Sequence, residues 1–204
     1  MNRRERLARC YAYEEIDRPA VYSRTGFPGN DPTYDKLKAY LNEHTELKGG
    51  WSGVRQSGYQ TESYTEPHSE NFQRRVTILH TPKGDLQSTY LVSLKGQPGL
   101  SETYFLKTKE DAEKYLSLPM PEILDIDADS FFQAVERMGD RGIVEAGLGF
   151  SPGGHIAELF GTDDFAIMSV MERDIIHALI KREADIMTNR VKVMLENKIC
   201  PFFS

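Results

Sequence analysis

Cysteine is scarce: Cys10 and Cys200 are the only two in 204 residues. A disulfide framework is therefore not expected, and a reducing, cytoplasmic compartment suits the chain. Long apolar runs are missing too. Uncharged stretches such as Ile143-Val144 and Ala146 to Ile156 are short or interrupted by Gly and Pro, well below the ~20 residues that span a bilayer. No membrane partner is expected. There is no excess of positive charge, the formal net charge being -6, which argues against a nucleic-acid partner. The first ten residues hold four arginines and no apolar core, so a secretory leader is not expected either. What is present is ordinary for a globular protein: 39% hydrophobic, 27% charged and 10% aromatic residues, with no repeat and no low-complexity segment.

The chain opens with an amphipathic helix over residues 1–15, capped by Asn2 and stopped at Asp17-Arg18-Pro19. Ala20-Val21-Tyr22 is a short strand signal, and a second helix starts at Asp31-Pro32. From Gly49 to Gln97 the period changes to two. Val76 and Ile78 alternate with polar residues, and so do Leu86, Tyr90, Val92 and Leu94 around the turn Pro82-Lys83-Gly84. This reads as an antiparallel meander. Thr108 and Asp111 have capping-box spacing ahead of a helix over 109–118. Residues 121–125 read as a linker, and Asp129 as the cap of a helix over 130–138. Ile143-Val144-Glu145-Ala146 is a buried-strand signal. Thr162 reads as the cap of a long helix reaching about Asn197. Ile176, Ile180, Ala184, Met187, Val191 and Met194 form its apolar stripe, and Ile199 to Phe203 resemble a last strand with Cys200 in its core.

Strands alternating with helices in the second half imply βαβ units and a parallel sheet. Such a sheet needs helices on both faces or closure into a barrel. A complete eight-stranded barrel takes about 250 residues. With about fifty residues given to the meander, too few βα units remain, so a partial barrel is the expectation.

The strongest candidate site is the passage from this strand into Gly147-Leu148-Gly149-Phe150-Ser151-Pro152-Gly153-Gly154 and then a helix. Ligand contacts collect at the carboxyl ends of strands in such folds. Ser151, Gly153 and Gly154 could turn a hydroxyl and backbone N–H groups toward an anionic substrate group. His155 and Glu158 follow on the helix as candidate catalytic residues. A tight structural turn explains the same glycines, and neither a dinucleotide fingerprint nor a phosphate loop is spelled. Arg24, after the first strand signal, is a candidate for binding a substrate carboxylate, or else a solvated surface residue. The five histidines stand in no metal-binding spacing, so no metal ligands are assigned.

Several phrases are similar to the uroporphyrinogen decarboxylase-like family, which includes cobalamin-dependent methyltransferase-type members. They are the opening Met1 to Leu7, Asp17-Arg18-Pro19-Ala20-Val21, and Leu106 to Asp111. The fullest is Gly149-Phe150-Ser151-Pro152 leading to Glu158-Leu159-Phe160-Gly161-Thr162-Asp163-Asp164-Phe165. The resemblance implies an α/β fold, the N-terminal part of a (β/α)8 TIM barrel. The chain is then a single domain over 1–204 with a β-rich meander inserted at 59–97. The decarboxylases carry Arg-Gln-Ala-Gly-Arg-Tyr after their first strand. Here the place reads Arg24-Thr25-Gly26-Phe27, so one arginine carries over and the other is absent. The tyrosine that decarboxylases have after the Gly-rich loop falls near Glu158. In related methyltransferases zinc is held by His and Cys residues of the C-terminal half, which leaves no zinc site to this chain alone.

The function so implied is methyl transfer on a corrinoid or thiol substrate by the complete form, the family suggesting either a methyltransferase or a carboxy-lyase. Arg24, Ser151, His155 and Glu158 would line the barrel mouth. Two alternatives stand beside it. One is a tetrapyrrole decarboxylase. The other is a catalytically silent, truncated barrel fragment that self-associates or needs a C-terminal partner segment.

Overall fold

The computed structural model describes residues 1–22 and 31–204. In chain order it contains α1 (Arg3–Tyr11), a 3-10 turn (Pro32–Tyr34), α2 (Asp35–His44), β1 (Leu47–Trp51), β2 (Val54–Gln56), β3 (Thr61–Pro67), β4 (Phe72–Leu79), β5 (Leu86–Ser93) and β6 (Leu100–Thr103). Then come α3 (Lys109–Leu116), β7 (Ile123–Ile126), α4 (Ala128–Met138), a second 3-10 turn (Gly139–Arg141), β8 (Gly142–Ala146), α5 (Pro152–Phe160), α6 (Thr162–Met171) and α7 (Arg173–Glu196). The fold is mixed α/β with an antiparallel meander. No closed barrel is found among the described residues. The chain divides into two compact units: residues 1–54, 125–149 and 193–204 form a parallel unit, and 55–124 with 150–192 form a meander unit.

In the parallel unit β1 pairs in parallel with β8, from Leu47 opposite Gly142 to Trp51 opposite Ala146. Single parallel bridges extend this on both sides, Tyr22 with Glu46 and Ala146 with Phe203. Four parallel segments thus stand side by side in their order along the chain. Gly142 permits the start of this pairing, because a Cβ there would lie 1.8 Å from the Leu47 carbonyl oxygen. One face of β1 and β8 supplies Trp51, Val144 and Ala146, which pack with Phe131 of α4, Met194 of α7 and Ile199. The Trp51 indole donates to the Ser130 hydroxyl at 2.8 Å. Helix α7 closes with Ile199 N–H on Met194 O and Lys198 N–H on Leu195 O, a Schellman motif with Lys198 in the left-handed region at φ 60. Ile199, the residue beyond, packs with Met194 in the core.

In the meander unit β3, β4, β5 and β6 form one antiparallel sheet in chain order. Leu79 and Leu86, on either side of the Pro82-Lys83-Gly84 turn, join a core with Leu106, Ala112 and Tyr115 of α3, Ile156 and Phe160 of α5, and Leu179 of α7. The Thr108–Asp111 capping box is present in full. Gly161, at φ 74, joins α5 to α6, and the Tyr104 ring lies 2.3 Å from where its Cβ would be.

Several local expectations change, the first helix ending at Tyr11 rather than near residue 15. The period-two stretch does not begin at Gly49: β1 is a parallel strand, and the meander runs from Thr61 to Thr103. Part of the expected linker is β7, and Asp127 rather than Asp129 caps α4, accepting from Ser130 N–H. The long helix starts at Arg173, because α6 ends at Met171 and no side chain caps α6. Cys200 is exposed, its core place being taken by Ile199. Among the described residues no helix is long and apolar enough to cross a membrane.

Candidate functional site

Side chains alternate along a strand, and residues opposite each other in a ladder share a face. With Lys48 opposite Ile143 and Gly50 opposite Glu145, the second face of β1 and β8 carries Lys48 and Glu145, with Glu46 two residues before Lys48. This face is charged where the other is apolar, and α1 packs against β8. Lys48 Nζ stands 2.6 Å from the Glu145 carboxylate, with side-chain exposures of 16% and 11%. Tyr11, from the end of α1, donates its hydroxyl to Glu145 at 2.8 Å and accepts from Lys48 Nζ at 2.8 Å. The ammonium also lies 4.4 Å from the centroid of the Tyr22 ring.

Burial alone would lower the Lys48 pKa, but the bonds with Glu145 and Tyr11 outweigh it and raise it above the usual lysine value. Burial raises the Tyr11 phenol. The triad therefore holds a fixed cation, its counter-ion and a neutral phenol. It can orient a polar substrate and donate hydrogen bonds, but Lys48 is poorly suited to act as a base or nucleophile.

A second polar group sits at the foot of this face. Glu46, with no side-chain exposure, accepts from Arg6 and Arg18 at 2.7 Å each, and from the Val21 N–H at 2.7 Å. Arg6 also makes a bidentate pair with Asp17 at 2.7 and 2.8 Å. These bonds tie α1 and the first strand segment to β1.

Of the residues expected from sequence, Arg24 lies outside the described residues. Ser151, Gly153, Gly154, His155 and Glu158 all lie in the meander unit. Ser151 caps α5, its Oγ accepting from Gly154 N–H at 3.2 Å, so hydroxyl and amide satisfy each other. His155 Nε2 is 3.5 Å from the Tyr115 hydroxyl and 3.9 Å from Glu183. Tyr115 donates to Glu183 at 3.1 Å, and burial pushes its phenol far above the usual range. Beside them Arg182 donates to the Tyr59 hydroxyl at 2.9 Å and to Pro119 O at 2.8 Å. Glu158, exposed, opens instead on a cavity of about 320 Å³ with Thr89, Tyr90, Thr103 and Tyr104. The two candidate catalytic residues thus share α5 but have different neighbours.

Tyr11, Lys48, Glu145, Tyr115 and Glu183 stand in no sequence motif that marks them as functional. One signal was on the page: an acid, Glu145, inside a strand that otherwise reads as buried. Among the described residues no group of three or more His, Cys, Asp or Glu side chains is placed to hold a metal ion. Comparison with family models, with curated proteins and with solved structures yields no match.

Proposed function

We propose that the parallel unit is the opening part of a (β/α)8 barrel of the uroporphyrinogen decarboxylase-like kind, and that the complete enzyme transfers a methyl group between a corrinoid and a thiol. The observation that carries the barrel reading is the order of the parallel segments. Tyr22, β1, β8 and Phe203 are neighbours in space in the same order as in the chain, as in a barrel and unlike a sheet that reverses its strand order. Their two faces support it. An apolar face packs on α4 and α7, and the other carries Lys48 and Glu145, which Tyr11 of α1 bonds. The methyl-transfer chemistry rests on the sequence resemblance.

In this reading Lys48, Glu145 and Tyr11 are positioning residues that would hold a polar wall fixed beside the substrate, and a corrinoid, when bound, would supply the methyl group that the thiol accepts as it gives up its proton. His155 and Glu158, which belong to the meander unit, are each proposed separately as a proton-exchanging residue, and Arg24 as a ligand of a substrate carboxylate. The test is to incubate the protein with methylcobalamin and a small thiol and follow the visible spectrum. Thiol-dependent loss of the methyl-cobalt bands, slowed in Glu158→Gln, is expected. An unchanged spectrum with every thiol tried would overturn the reaction class.

A further inference from the structure

We propose that the parallel unit holds a second site, at the amino end of β8, that binds a small hydrophobic carboxylate, apart from the methyl-transfer reading. A pocket of about 200 Å³ there is walled by Phe131, Val135 and Met138 of α4 and Val144 of β8, with Arg4 of α1 and Lys198 also lining it. None of its lining residues is an Asp or Glu. Acids outnumber Lys and Arg by 31 to 25 in this chain, so a pocket with two cations and no acid goes against the general composition. Neither the Arg4 guanidinium nor the Lys198 ammonium pairs with a carboxylate of the described residues. Across the same α1, by contrast, Arg6 and Arg9 are both paired.

The backbone at Lys198 points the same way. At φ 60 it occupies the position after a helix that glycine or asparagine usually fills. A lysine there accepts a conformational cost that glycine avoids, and Lys198, exposed, lines the pocket.

Size and chemistry define the ligand. A dry cavity of about 150 Å³ is known to hold benzene. The 200 Å³ here suits one ring or a short branched chain with a carboxylate. It is too small for a nucleotide or a tetrapyrrole. The apolar walls gain by burying the hydrocarbon part, and the two cations offer charge-assisted bonds to the carboxylate. A sugar phosphate would leave its hydroxyls unsatisfied against those walls. An uncharged ligand would gain nothing from the cations.

The test is titration of the 204-residue chain with benzoate, by calorimetry and saturation-transfer NMR, with uncharged benzamide as the isostere. Two variants, Lys198→Gly and Arg4→Ala, complete it. Glycine suits the left-handed backbone at position 198, so that variant removes the charge while keeping the fold, which the urea midpoint read from Trp51 fluorescence confirms. Saturable binding of benzoate with Kd below about 1 mM is expected, with benzamide and each variant weaker by about tenfold or more. No saturation with benzoate, equal binding of benzamide, or unchanged affinity in both variants would overturn the proposal.

Discussion

Replacing Glu46 with glutamine tests the buried charges directly. The carboxylate takes three hydrogen bonds of 2.7 Å, from Arg6, Arg18 and the Val21 amide, and its side chain is fully buried. Glutamine keeps the shape but turns one end of the fork into a donor. Whichever way it lies, either the Val21 N–H or the two guanidinium groups then face an NH₂. A hydrogen bond to a charged group contributes about 1.5–3 kcal/mol, and breaking a buried pair costs about 3–5 kcal/mol. Arg6 retains its bidentate bond to Asp17, which places the loss near the lower bound, about 3 kcal/mol.

Trp51 is the only tryptophan and is buried in the same unit, so its fluorescence reports unfolding of this unit. With a urea slope of about 2 kcal/mol per molar, the midpoint should fall by about 1.5 M. A fall under about 0.3 M at unchanged slope would refute the reasoning. The pH dependence gives an independent check. Burial by itself raises the Glu46 pKa, but the Val21 amide and Arg6 outweigh it and hold the carboxyl below its usual value. A depressed folded pKa stabilises above the unfolded value, about 4.3, and that stability is lost as pH falls through the folded value. Asp17, depressed chiefly by its bond to Arg6, is present in both proteins. The gap between native protein and variant should therefore be full at pH 6 and narrow below about pH 4. A gap of constant size would count against Glu46 as its source.

Other substitutions probe the remaining structure. Gly142→Ala puts a methyl 1.8 Å from Leu47 O and should cost about 3 kcal/mol by pushing β8 from β1; an unchanged Trp51 unfolding midpoint would contradict this. Lys48→Met leaves Glu145 with Tyr11 as its hydrogen-bond donor and should destabilise at pH 7 by about 3 kcal/mol, an effect absent if the triad is not formed. In the native protein the raised Lys48 pKa contributes fully below about pH 10.4 and is lost as pH rises through the folded value, so an alkaline decline should be weaker in Lys48→Met. Thr108→Ala removes the capping box of α3 and should cost about 1 kcal/mol, with Thr108→Ser restoring most of it in thermal melts. Phe160→Ala empties a fully buried site at a cost of about 3–5 kcal/mol, read as faster amide exchange in β4 and β5; unchanged exchange would argue against the shared core.

The meander and the caps were legible because their causes are local. Alternation around Pro82-Lys83-Gly84, interrupted at Leu79, is visible over short windows, and the Gly84 φ of 116 explains the glycine. Asn2 and the Thr108–Asp111 pair announce helix starts from within one turn. β1 was not legible as a parallel strand. Leu47-Lys48-Gly49-Gly50-Trp51 has two glycines and a lysine where a buried strand should have branched apolar residues. The reason is long-range: Gly49 leaves room for the Met138 side chain, 3.1 Å from where its Cβ would stand, and Lys48 is neutralised by Glu145, far along the chain. The candidate site was partly legible for the opposite reason. The Ser-Pro-Gly-Gly turn identifies a helix start, and the structure has one there. But the cap bond between Ser151 and Gly154 shows that such a turn can serve the helix itself. His155 gains its Tyr115 and Glu183 neighbours only through tertiary packing, which no spacing rule encodes.

The segmentation of the chain connects these observations. The two stretches that build the meander unit, 55–124 and 150–192, leave the parallel unit shortly after Trp51 and Ala146, the carboxyl ends of β1 and β8. In parallel α/β folds those ends carry loops that vary with function, while the amino ends serve stability. Expansion at the carboxyl ends leaves the Leu47–Gly142 start of the ladder and the Arg6–Glu46–Asp17 anchor untouched. The buried charges around Glu46 stand at the amino end of this ladder, and His155 and Glu158 belong to the second inserted stretch, 150–192. Lys48 and Glu145 lie on the same ladder between these ends, where rigid backbone pairing holds side chains more tightly than a loop does. Lys48 and Glu145 are thus placed by paired backbone, whereas Ser151 of the glycine-rich turn is engaged in capping α5.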